Sequence, residues 1–341
     1  MRYIIIGAGA VGGVIGGRLA ESGHDVVLVA RGTHLAALRD TGLRLTTAEG
    51  TRTLRIPCAA GPKDVDLRPG DVLVLAVKTQ DSIAALDAWS GRPVAGGGTA
   101  DALLPVVCAQ NGVENERLAL RRFRRVYAMC VYLPATFLEA GAVSAAGAPL
   151  TGILHLGRFP GGVDDTAAAM AADLEKSGFL APVVPDAMRW KYAKLLSNTA
   201  NALGALCGAE ALGAPTGRDL AARMVAEGRA VLAAAGIAVA GAAEQSAVRD
   251  GKVTMADPAT GGAGAGSSWQ SLARGTGSIE TDHLNGEIVL LGGLHGVPTP
   301  VNDVLRRLAN EFARERRAAG SMPVGEVAAH VAAEVARRDA E

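Results

Sequence analysis

This chain of 341 residues holds three stretches whose residue types could do chemistry, and the first is a glycine-rich turn near the N-terminus. It directly follows an apolar run at positions 3–6 and consists of Gly7, Ala8, Gly9, Ala10, Val11 and Gly12. In such a turn the first glycine permits a tight bend, the second lets a pyrophosphate approach the backbone, and the third lets a helix pack closely on the strand. The N-terminus of that helix favours the phosphate charge. The turn therefore predicts dinucleotide binding; the alternative is a glycine-rich turn without a ligand.

The end of the second apolar run, residues 25–30, indicates which dinucleotide fits. An NAD site usually has an acidic residue there to bind the ribose hydroxyls, whereas the 2′-phosphate of NADP is accommodated by an arginine. Here Arg31 follows the run, and the nearest acid, Asp25, stands at its beginning. The sequence therefore favours NADP(H) over NAD. The alternative is that Arg31 is only a solvated loop charge.

Two later apolar runs, 72–77 and 104–109, also end in polar residues. Lys78 and Gln80 follow the first, and Asn111 follows the second. Ligands of doubly wound sheets bind beyond the carboxyl ends of the strands, so we predict that these three side chains face the cofactor. An Asn-Gly pair is also common in turns of no function, and the residue types alone leave both interpretations open.

The second stretch is a helical pattern over residues 190–201. At 3.6 residues per turn, Lys194, Asn198 and Asn201 share one stripe of this helix. Asparagine is a poor helix former, so two of them on one stripe need a reason, which a binding role would supply. A solvated polar face is the alternative, and the spacing alone does not exclude it.

The third stretch begins at Ser267 and Ser268 and continues to a group of polar residues, Glu280, His283 and Glu287, that would share one helical stripe. A metal centre would need at least a third good ligand nearby, and the other histidines are scattered along the chain. We therefore predict no metal here. Ordinary surface acids in the first turn of a helix are the simplest interpretation from the residues alone.

The elements that must position these residues change character along the chain. Over about the first 110 residues, apolar runs of strand length alternate with helical patterns, which predicts βαβ units and a doubly wound α/β sheet. Residues 126–157 hold short strand-like runs between Gly, Pro and Ser turns, and we expect a partly antiparallel sheet edge there.

After Pro182 and Pro185 the patterns become helical and alanine-rich, so we place a domain boundary there. The predicted domains are a dinucleotide-binding domain, residues 1–184, and a helical substrate or catalytic domain, residues 185–341. Within the second domain we expect a glycine-rich loop at 251–266 and helices at 301–317 and 324–338.

Composition excludes several other classes of protein. Thirty-four basic residues balance thirty-four acidic ones, so the chain has no overall charge that would attract nucleic acid or an anionic membrane, and the basic run 121–125 is predicted to be solvated. No apolar segment makes a good membrane span. The four cysteines are widely spaced and form no CxxC pair, which is typical of buried thiols in a reducing compartment. We predict a cytoplasmic protein.

Taken together and in order, the motifs resemble the ketopantoate reductase family, also called 2-dehydropantoate 2-reductases. The resemblance implies a Rossmann-type N-terminal domain, an all-helical C-terminal domain, and NADPH-dependent reduction of a 2-oxo acid to a 2-hydroxy acid. The named reaction is ketopantoate to pantoate, a step of pantothenate biosynthesis. The motifs that carry the resemblance are GAGAVGG at 7–13, Arg31, VKT at 77–79, QNG at 110–112, KLLSN at 194–198, the serines at 267–268 and ETDHLNG at 280–286.

The resemblance also implies roles for individual residues. Lys194 matches the catalytic lysine of the family, which acts as the general acid, and Glu280 matches its active-site glutamate. A lysine ammonium can stabilise the alkoxide that forms when hydride reaches a ketone carbon, and can donate the proton to it. The resemblance gives Asn111 a place between nicotinamide and substrate and gives Lys78 a place beside the cofactor. It assigns Asn111, Asn198 and Ser268 to the substrate, and we predict Asn201 as a further substrate-binding residue.

Two positions depart from the family pattern. The second asparagine after the catalytic lysine is expected at position 202, where this chain has alanine, while Asn201 stands one place earlier. An acid common after the two serines is replaced by Leu272. We expect both changes at the substrate end of the site, so the alternatives are a reductase of a different 2-oxo acid or ketone, or a non-catalytic NADP(H)-binding protein. The alanine-rich helices could pack internally or in a homodimer.

Overall fold

The computed structural model describes residues 1–255 and 266–340. The strands, in chain order, are β1 (Arg2–Ile6), β2 (Asp25–Val29), β3 (Leu43–Thr47), β4 (Gly50–Leu54), β5 (Cys58–Ala59), β6 (Asp71–Leu75), β7 (Val106–Cys108), β8 (Val126–Tyr132), β9 (Ala135–Thr136), β10 (Ala142–Ala145), β11 (Gly147–Pro149), β12 (Gly152–Arg158), β13 (Phe179–Leu180) and β14 (Val253–Met255). The helices are α1 (Ala10–Glu21), α2 (Gly32–Asp40), α3 (Ser82–Ser90), α4 (Ala100–Leu103), α5 (Asn115–Leu120), α6 (Asp165–Lys176), α7 (Ala187–Asn198), α8 (Ala200–Cys207), α9 (Ala209–Gly213), α10 (Pro215–Ala234), α11 (Ala242–Arg249), α12 (Ser267–Ala273), α13 (Asn285–His295), α14 (Pro300–Glu315) and α15 (Val324–Asp339). Short 3₁₀ turns lie at Pro62–Asp64, Thr79–Asp81 and Glu280–His283.

The central feature is an eight-stranded sheet in the order β13-β12-β8-β7-β6-β1-β2-β5. Its strands from β5 to β8 pair in parallel, whereas β12 pairs antiparallel with β8, as predicted for the edge formed by residues 126–157. Helices cover both faces of a parallel sheet, which is why β1, β2 and β6 are apolar at every position after their first residue.

Alternate side chains of the same strand therefore enter two different cores. In β1, Tyr3 and Ile5 belong to one buried cluster, and Ile4 and Ile6 belong to the cluster on the opposite face. Two smaller sheets lie beside the main one, with the orders β4-β3-β10-β9 and β11-β14.

By the contacts between its residues the chain divides into two compact units. The first unit is Met1–Lys191 together with Ala240–Ala263, and it holds the sheets. The second unit is Tyr192–Val239 together with Gly264–Glu341, and in its described part every regular element is helical. Its core joins apolar side chains of α8, α10, α12, α14 and α15. The predicted fold class, a Rossmann-type doubly wound sheet followed by a helical part, is confirmed.

The predicted division into a dinucleotide-binding domain, 1–184, and a helical substrate or catalytic domain, 185–341, stays a prediction. The predicted loop at 251–266 is wrong at its beginning, because Val253–Met255 forms a strand that pairs antiparallel with Gly147–Pro149. Three consecutive β-compatible residues suffice for this short pairing, and the partner strand lies too far away in sequence to be anticipated. The rest of that predicted loop, residues 256–265, lies outside the described residues.

Two helical stripes predicted from sequence are each interrupted. The helix predicted over 190–201 is two helices, α7 and α8, which meet at Thr199, where the side-chain amide of Asn285 donates to the backbone carbonyl at 3.1 Å. The stripe through Glu280 and Glu287 is broken at Leu284, whose φ of −115° and ψ of −84° lie outside the helical region. These residues therefore do not share one continuous helix.

Glu334 on α15 fixes this helix to α14 through a group of arginines. Its carboxylate accepts hydrogen bonds from Arg337 and Arg338 at 2.8 Å and from Arg307 of α14 at 3.0 Å, and the residue is 8% exposed. The hydrogen bonds from Arg337 and Arg338 lower the pKa of Glu334 from its ordinary value of 4.5 to about 2.

Because the folded state holds this pKa below the unfolded value, Glu334 stabilises the protein fully above about pH 4.5, and its contribution is lost as the pH falls toward 2. We therefore expect Glu334→Gln to lower the free energy of unfolding at pH 7. Between pH 5 and pH 3 the free energy of unfolding of this variant should fall less than that of wild type. Urea unfolding at each pH measures this. Glu326→Gln, an exposed change on the same helix, is the control; equal pH slopes for wild type and Glu334→Gln would contradict the prediction.

Candidate active site

The glycine-rich turn joins β1 to α1, and two of its glycines stand where no larger residue fits. Gly7 has a φ of +102°, and a β-carbon there would lie 2.8 Å from the backbone nitrogen of Val77. A β-carbon on Gly12 would lie 2.1 Å from the carbonyl oxygen of Gly7. By contrast, a β-carbon on Gly9 would meet nothing nearer than the Phe137 ring at 4.0 Å. The first and third glycines thus allow close packing, and the second leaves its backbone open to a ligand.

The turn is held in place by the neighbouring strand. The backbone N–H groups of Gly7 and Ala8 both donate to the carbonyl of Val29, at the end of β2, at 3.1 Å. Helix α1 begins at Ala10, directly after Gly9, so its first N–H groups are at the open side of the turn. These features fit a dinucleotide pyrophosphate.

The other residues predicted for the cofactor lie at the carboxyl ends of adjacent strands. In the sheet, β7, β6, β1 and β2 lie side by side in this order. The segments that follow these four strands hold, in the same order, Asn111, Lys78, the glycine-rich turn and Arg31. Arg31 is exposed and precedes α2, and no acid stands at the end of β2. Gln80 is exposed in the 3₁₀ turn after β6. The structure thus collects all the cofactor residues predicted in the first unit at one edge of the sheet.

A buried network of polar side chains connects the loops after β6 and β7. Gln110 donates to the hydroxyl of Ser82 at 3.0 Å, and this hydroxyl donates to Asn115 at 2.7 Å. The amide of Asn115 donates in turn to Thr79 at 3.0 Å and to the carbonyl of Gly112 at 3.3 Å. Because each of these side chains is buried and hydrogen-bonded, the network fixes the conformation of both loops.

Sequence reasoning missed this network. Ser82 and Asn115 look like ordinary polar residues at helix starts, and only their complete burial reveals their role. Their positions in the sequence were the only local indication of this role. Ser82 follows the predicted cofactor residues Lys78 and Gln80 within five residues, and Asn115 follows Asn111 within five residues.

Apart from Asn111, which lies in the first unit, the residues predicted for catalysis and substrate lie in the second unit. Lys194 and Asn198 stand one turn apart on α7, where Lys194 is half-buried and Asn198 is 8% exposed. Among the residues that the structure describes, the side-chain nitrogen of Asn198 is buried without a hydrogen-bond partner. A buried N–H donor without a partner lowers the stability of a folded protein. This nitrogen is therefore a good candidate to donate a hydrogen bond to an oxygen of a ligand.

Asn201, on α8, lies against Gly266, the residue directly before the third sequence stretch. A β-carbon on Gly266 would lie 2.8 Å from the side-chain oxygen of Asn201, and Ser268 follows two residues later, buried on α12. Glu280 is 9% exposed at the start of its 3₁₀ turn. Within the described residues, no group of three His, Cys, Asp or Glu side chains could hold a metal ion.

A buried ion pair anchors the first half of α7 in the first unit. The ammonium of Lys191 donates to the carboxylate of Glu116 on α5, and both side chains are at most 1% exposed. Burial raises the pKa of Glu116, and the attraction of Lys191 offsets part of that rise. Burial and the nearby Glu116 also raise the pKa of the Cys108 thiol, which keeps it protonated.

Comparison with known protein families agrees with this arrangement. Residues 3–161 match the family model described as Ketopantoate reductase PanE/ApbA, and residues 186–313 match the model Ketopantoate reductase PanE/ApbA C terminal. The chain belongs to the ketopantoate reductase family.

Individual relatives span almost the whole chain. A 2-dehydropantoate 2-reductase of Archaeoglobus fulgidus is 30% identical over 318 residues, which cover 90% of this chain and 96% of the relative. The crystal structure of a PanE/ApbA family ketopantoate reductase from Ralstonia eutropha JMP134 has a TM-score of 0.75 at 29% identity and covers 93% of this chain and 100% of its own. A D-mandelate dehydrogenase solved with NADH and anilino(oxo)acetate has the same fold, with a TM-score of 0.76 at 23% identity and coverage of 93% and 100%.

The two departures from the ketopantoate reductase pattern lie in the apolar core. Ala202 is 1% exposed and Leu272 is 6% exposed, and both belong to the buried cluster that joins α8, α12 and α14. Their place at the substrate end of the site stays a prediction. A small residue and an aliphatic one fill space between helices here.

No helix in the described parts of the chain, 1–255 and 266–340, has the length and apolar character needed to span a bilayer.

Proposed function

We propose that this chain reduces ketopantoate to pantoate with NADPH. The observation that carries the proposal is that both halves of the family pattern are present. One unit has an open glycine-rich turn at the carboxyl end of a strand, and the other has Lys194 with Asn198, whose side-chain nitrogen has no hydrogen-bond partner among the described residues. Bound NADPH would supply the hydride to the ketone carbon, and the products would be the 2-hydroxy acid and NADP⁺.

In this proposal the residues of the chain bind the substrate, orient it and protonate its carbonyl oxygen. Lys194 donates a proton from Nζ to the carbonyl oxygen as negative charge develops on that oxygen. The Glu280 carboxylate holds the ammonium and accepts from the product hydroxyl. Asn198, Asn201 and Ser268 donate hydrogen bonds to the substrate.

The buried network of Ser82 and Asn115 acts indirectly in this proposal. It holds Asn111 at the substrate and Lys78 at the cofactor, because both stand on the loops that the network fixes. Fixing these groups before the substrate arrives reduces the entropy that would be lost when they are ordered in the reacting complex.

The test is to mix the purified protein with NADPH and ketopantoate and follow the loss of reduced-nicotinamide absorbance, with NADH run in parallel. We expect turnover with ketopantoate and a preference for NADPH. If another keto acid is turned over with a kcat/KM more than tenfold higher than that for ketopantoate, that acid is the substrate instead. Tight NADPH binding without turnover on any keto acid would indicate a binding protein and overturn the proposal.

Arg31 is the residue proposed to select NADPH. We expect Arg31→Ala to raise the KM for NADPH about 10- to 100-fold, because hydrogen bonds between charged groups contribute roughly 1.5–3 kcal/mol, while the KM for NADH changes little. Steady-state kinetics with both cofactors measure the change. Arg39→Ala, at an exposed position on α2, the helix that directly follows Arg31, is the matched control. An equal loss with both cofactors would contradict a 2′-phosphate role.

We also propose that this protein is a cytoplasmic enzyme that acts on a small-molecule substrate and has no nucleic-acid or membrane partner. All four cysteines are free, which supports a reducing compartment. A homodimer stays a prediction that light scattering of the purified protein can test.

A further inference from the structure

We propose that His34 is a positioning residue for the dinucleotide turn: as a neutral imidazole it holds the carbonyl of Ala8 and thereby orients the peptide that a pyrophosphate approaches. This inference rests on the proposed binding of a nicotinamide dinucleotide. His34 stands in the first turn of α2, three residues after Arg31. Its ring reaches back to the glycine-rich turn, with Nε2 2.7 Å from the carbonyl oxygen of Ala8.

The hydrogen-bond partners of His34 determine its tautomer. The backbone N–H of Gly141 donates to Nδ1 at 2.9 Å, and a backbone N–H can only donate. Nδ1 must therefore be unprotonated, so Nε2 carries the hydrogen and donates it to Ala8. Desolvation by burial lowers the pKa of His34, which favours this neutral form.

The Ala8 carbonyl matters because of where it directs the next N–H group. In a trans peptide the C=O and N–H groups point in opposite directions. With its carbonyl held by His34, the peptide between Ala8 and Gly9 turns the N–H of Gly9 away from the imidazole. Gly9 is the glycine whose surroundings are open, and Ala8 itself is held from its other side by its N–H bond to Val29.

The position of the imidazole is also fixed by packing. Its ring lies 4.5 Å from the Phe137 ring, at an angle of 54°. Gly141 precedes β10, so His34 joins the glycine-rich turn, α2 and the strand of the small sheet in one arrangement. A ring held by two hydrogen bonds and one aromatic contact is a stiff support, whereas a surface histidine would move freely.

The experiment compares three replacements of His34 by titrating NADPH and measuring its Kd from nicotinamide fluorescence, together with kcat and KM. His34→Phe retains a ring against Phe137 but removes both hydrogen bonds. His34→Gln can place an amide nitrogen near the position of Nε2, and His34→Asn can place an amide oxygen near that of Nδ1. The two amides thus separate the Ala8 bond from the Gly141 bond.

We expect His34→Phe to raise the Kd for NADPH about tenfold, because the Ala8 carbonyl loses its donor, with kcat at saturating NADPH within about threefold of wild type. His34→Gln should restore most of the affinity and His34→Asn should not. A uniform loss of stability would not produce this difference between Gln and Asn. His295→Phe, an exposed change on α13, is the control.

Three results would overturn the inference: a Kd for His34→Phe within twofold of wild type, recovery by Asn as complete as by Gln, or a fall in kcat at unchanged Kd. If His34→Phe does not fold, the comparison of Gln with Asn decides alone. A wild type that binds NADPH but does not turn over overturns the proposed function and leaves the His34 comparison intact. A wild type that binds no dinucleotide overturns both.

Discussion

Replacing Lys194 by alanine is expected to lower kcat for ketopantoate reduction by about 10²- to 10⁴-fold, the range usual for loss of a general acid. The variant loses both the proton donor and the positive charge that stabilises the developing alkoxide. The Kd for NADPH should stay within about threefold of wild type, because the groups proposed for the cofactor lie in the first unit. Stopped-flow or steady-state kinetics with a separate NADPH titration measure the two quantities.

Two further variants make the Lys194 result specific. Lys194→Arg keeps the charge but replaces the ammonium by a guanidinium whose pKa exceeds about 12, so it should remain a poor proton donor and recover only part of the rate. Lys176→Ala removes an exposed lysine from α6 and should behave as wild type. If Lys194→Ala keeps a kcat near that of wild type, Lys194 is not the general acid.

Replacing Lys191 by alanine is expected to lower the free energy of unfolding by about 3–5 kcal/mol, the cost of leaving one member of a buried ion pair without its partner. The remaining Glu116 carboxylate would be fully buried, and its Oε2 atom already has no hydrogen-bond partner among the described residues. Denaturant unfolding followed by far-UV circular dichroism measures the change.

The matched control for Lys191 stands two residues earlier on the same helix. Arg189 pairs with Glu244 near the surface, and such pairs contribute about 0–1 kcal/mol, so Arg189→Ala should cost far less. Replacing the buried pair together, as Lys191→Met with Glu116→Leu, should recover most of the lost stability, since no uncompensated charge remains. A Lys191→Ala variant as stable as Arg189→Ala would contradict the buried-pair account.

The parts of the fold that the sequence predicts are those set by local patterns. Continuous apolar runs predict β1, β6 and β7, and the final helices begin at Pro300 and Val324, within one residue of the predicted starts at 301 and 324. The interruptions at Thr199 and Leu284 were not predicted, because the residues around them are compatible with an unbroken helix. At Thr199 a side chain 86 positions away binds the backbone carbonyl, and no local pattern reports such a bond.

The same distinction applies to the candidate site. The glycine-rich turn, Arg31 and Asn111 are predictable because strand ends define one edge of the sheet, whatever the details of packing. His34 and the pair of Lys191 with Glu116 are not, because their partners lie 26 and 75 positions away and are recognised only once the chain is folded. The residues proposed to bind ligands were thus easier to predict than those that support them.

The return of residues 240–255 to the first unit has a consequence for the order of events during synthesis. Strand β11 can pair with β14, and Arg189 with Glu244, only after the ribosome has made the intervening residues of the second unit. At about 5–20 residues per second, a ribosome needs roughly 3–13 s to add residues 192–255. During that interval the nascent first unit presents an unpaired strand edge, the kind of surface that invites association between neighbouring chains on a polysome.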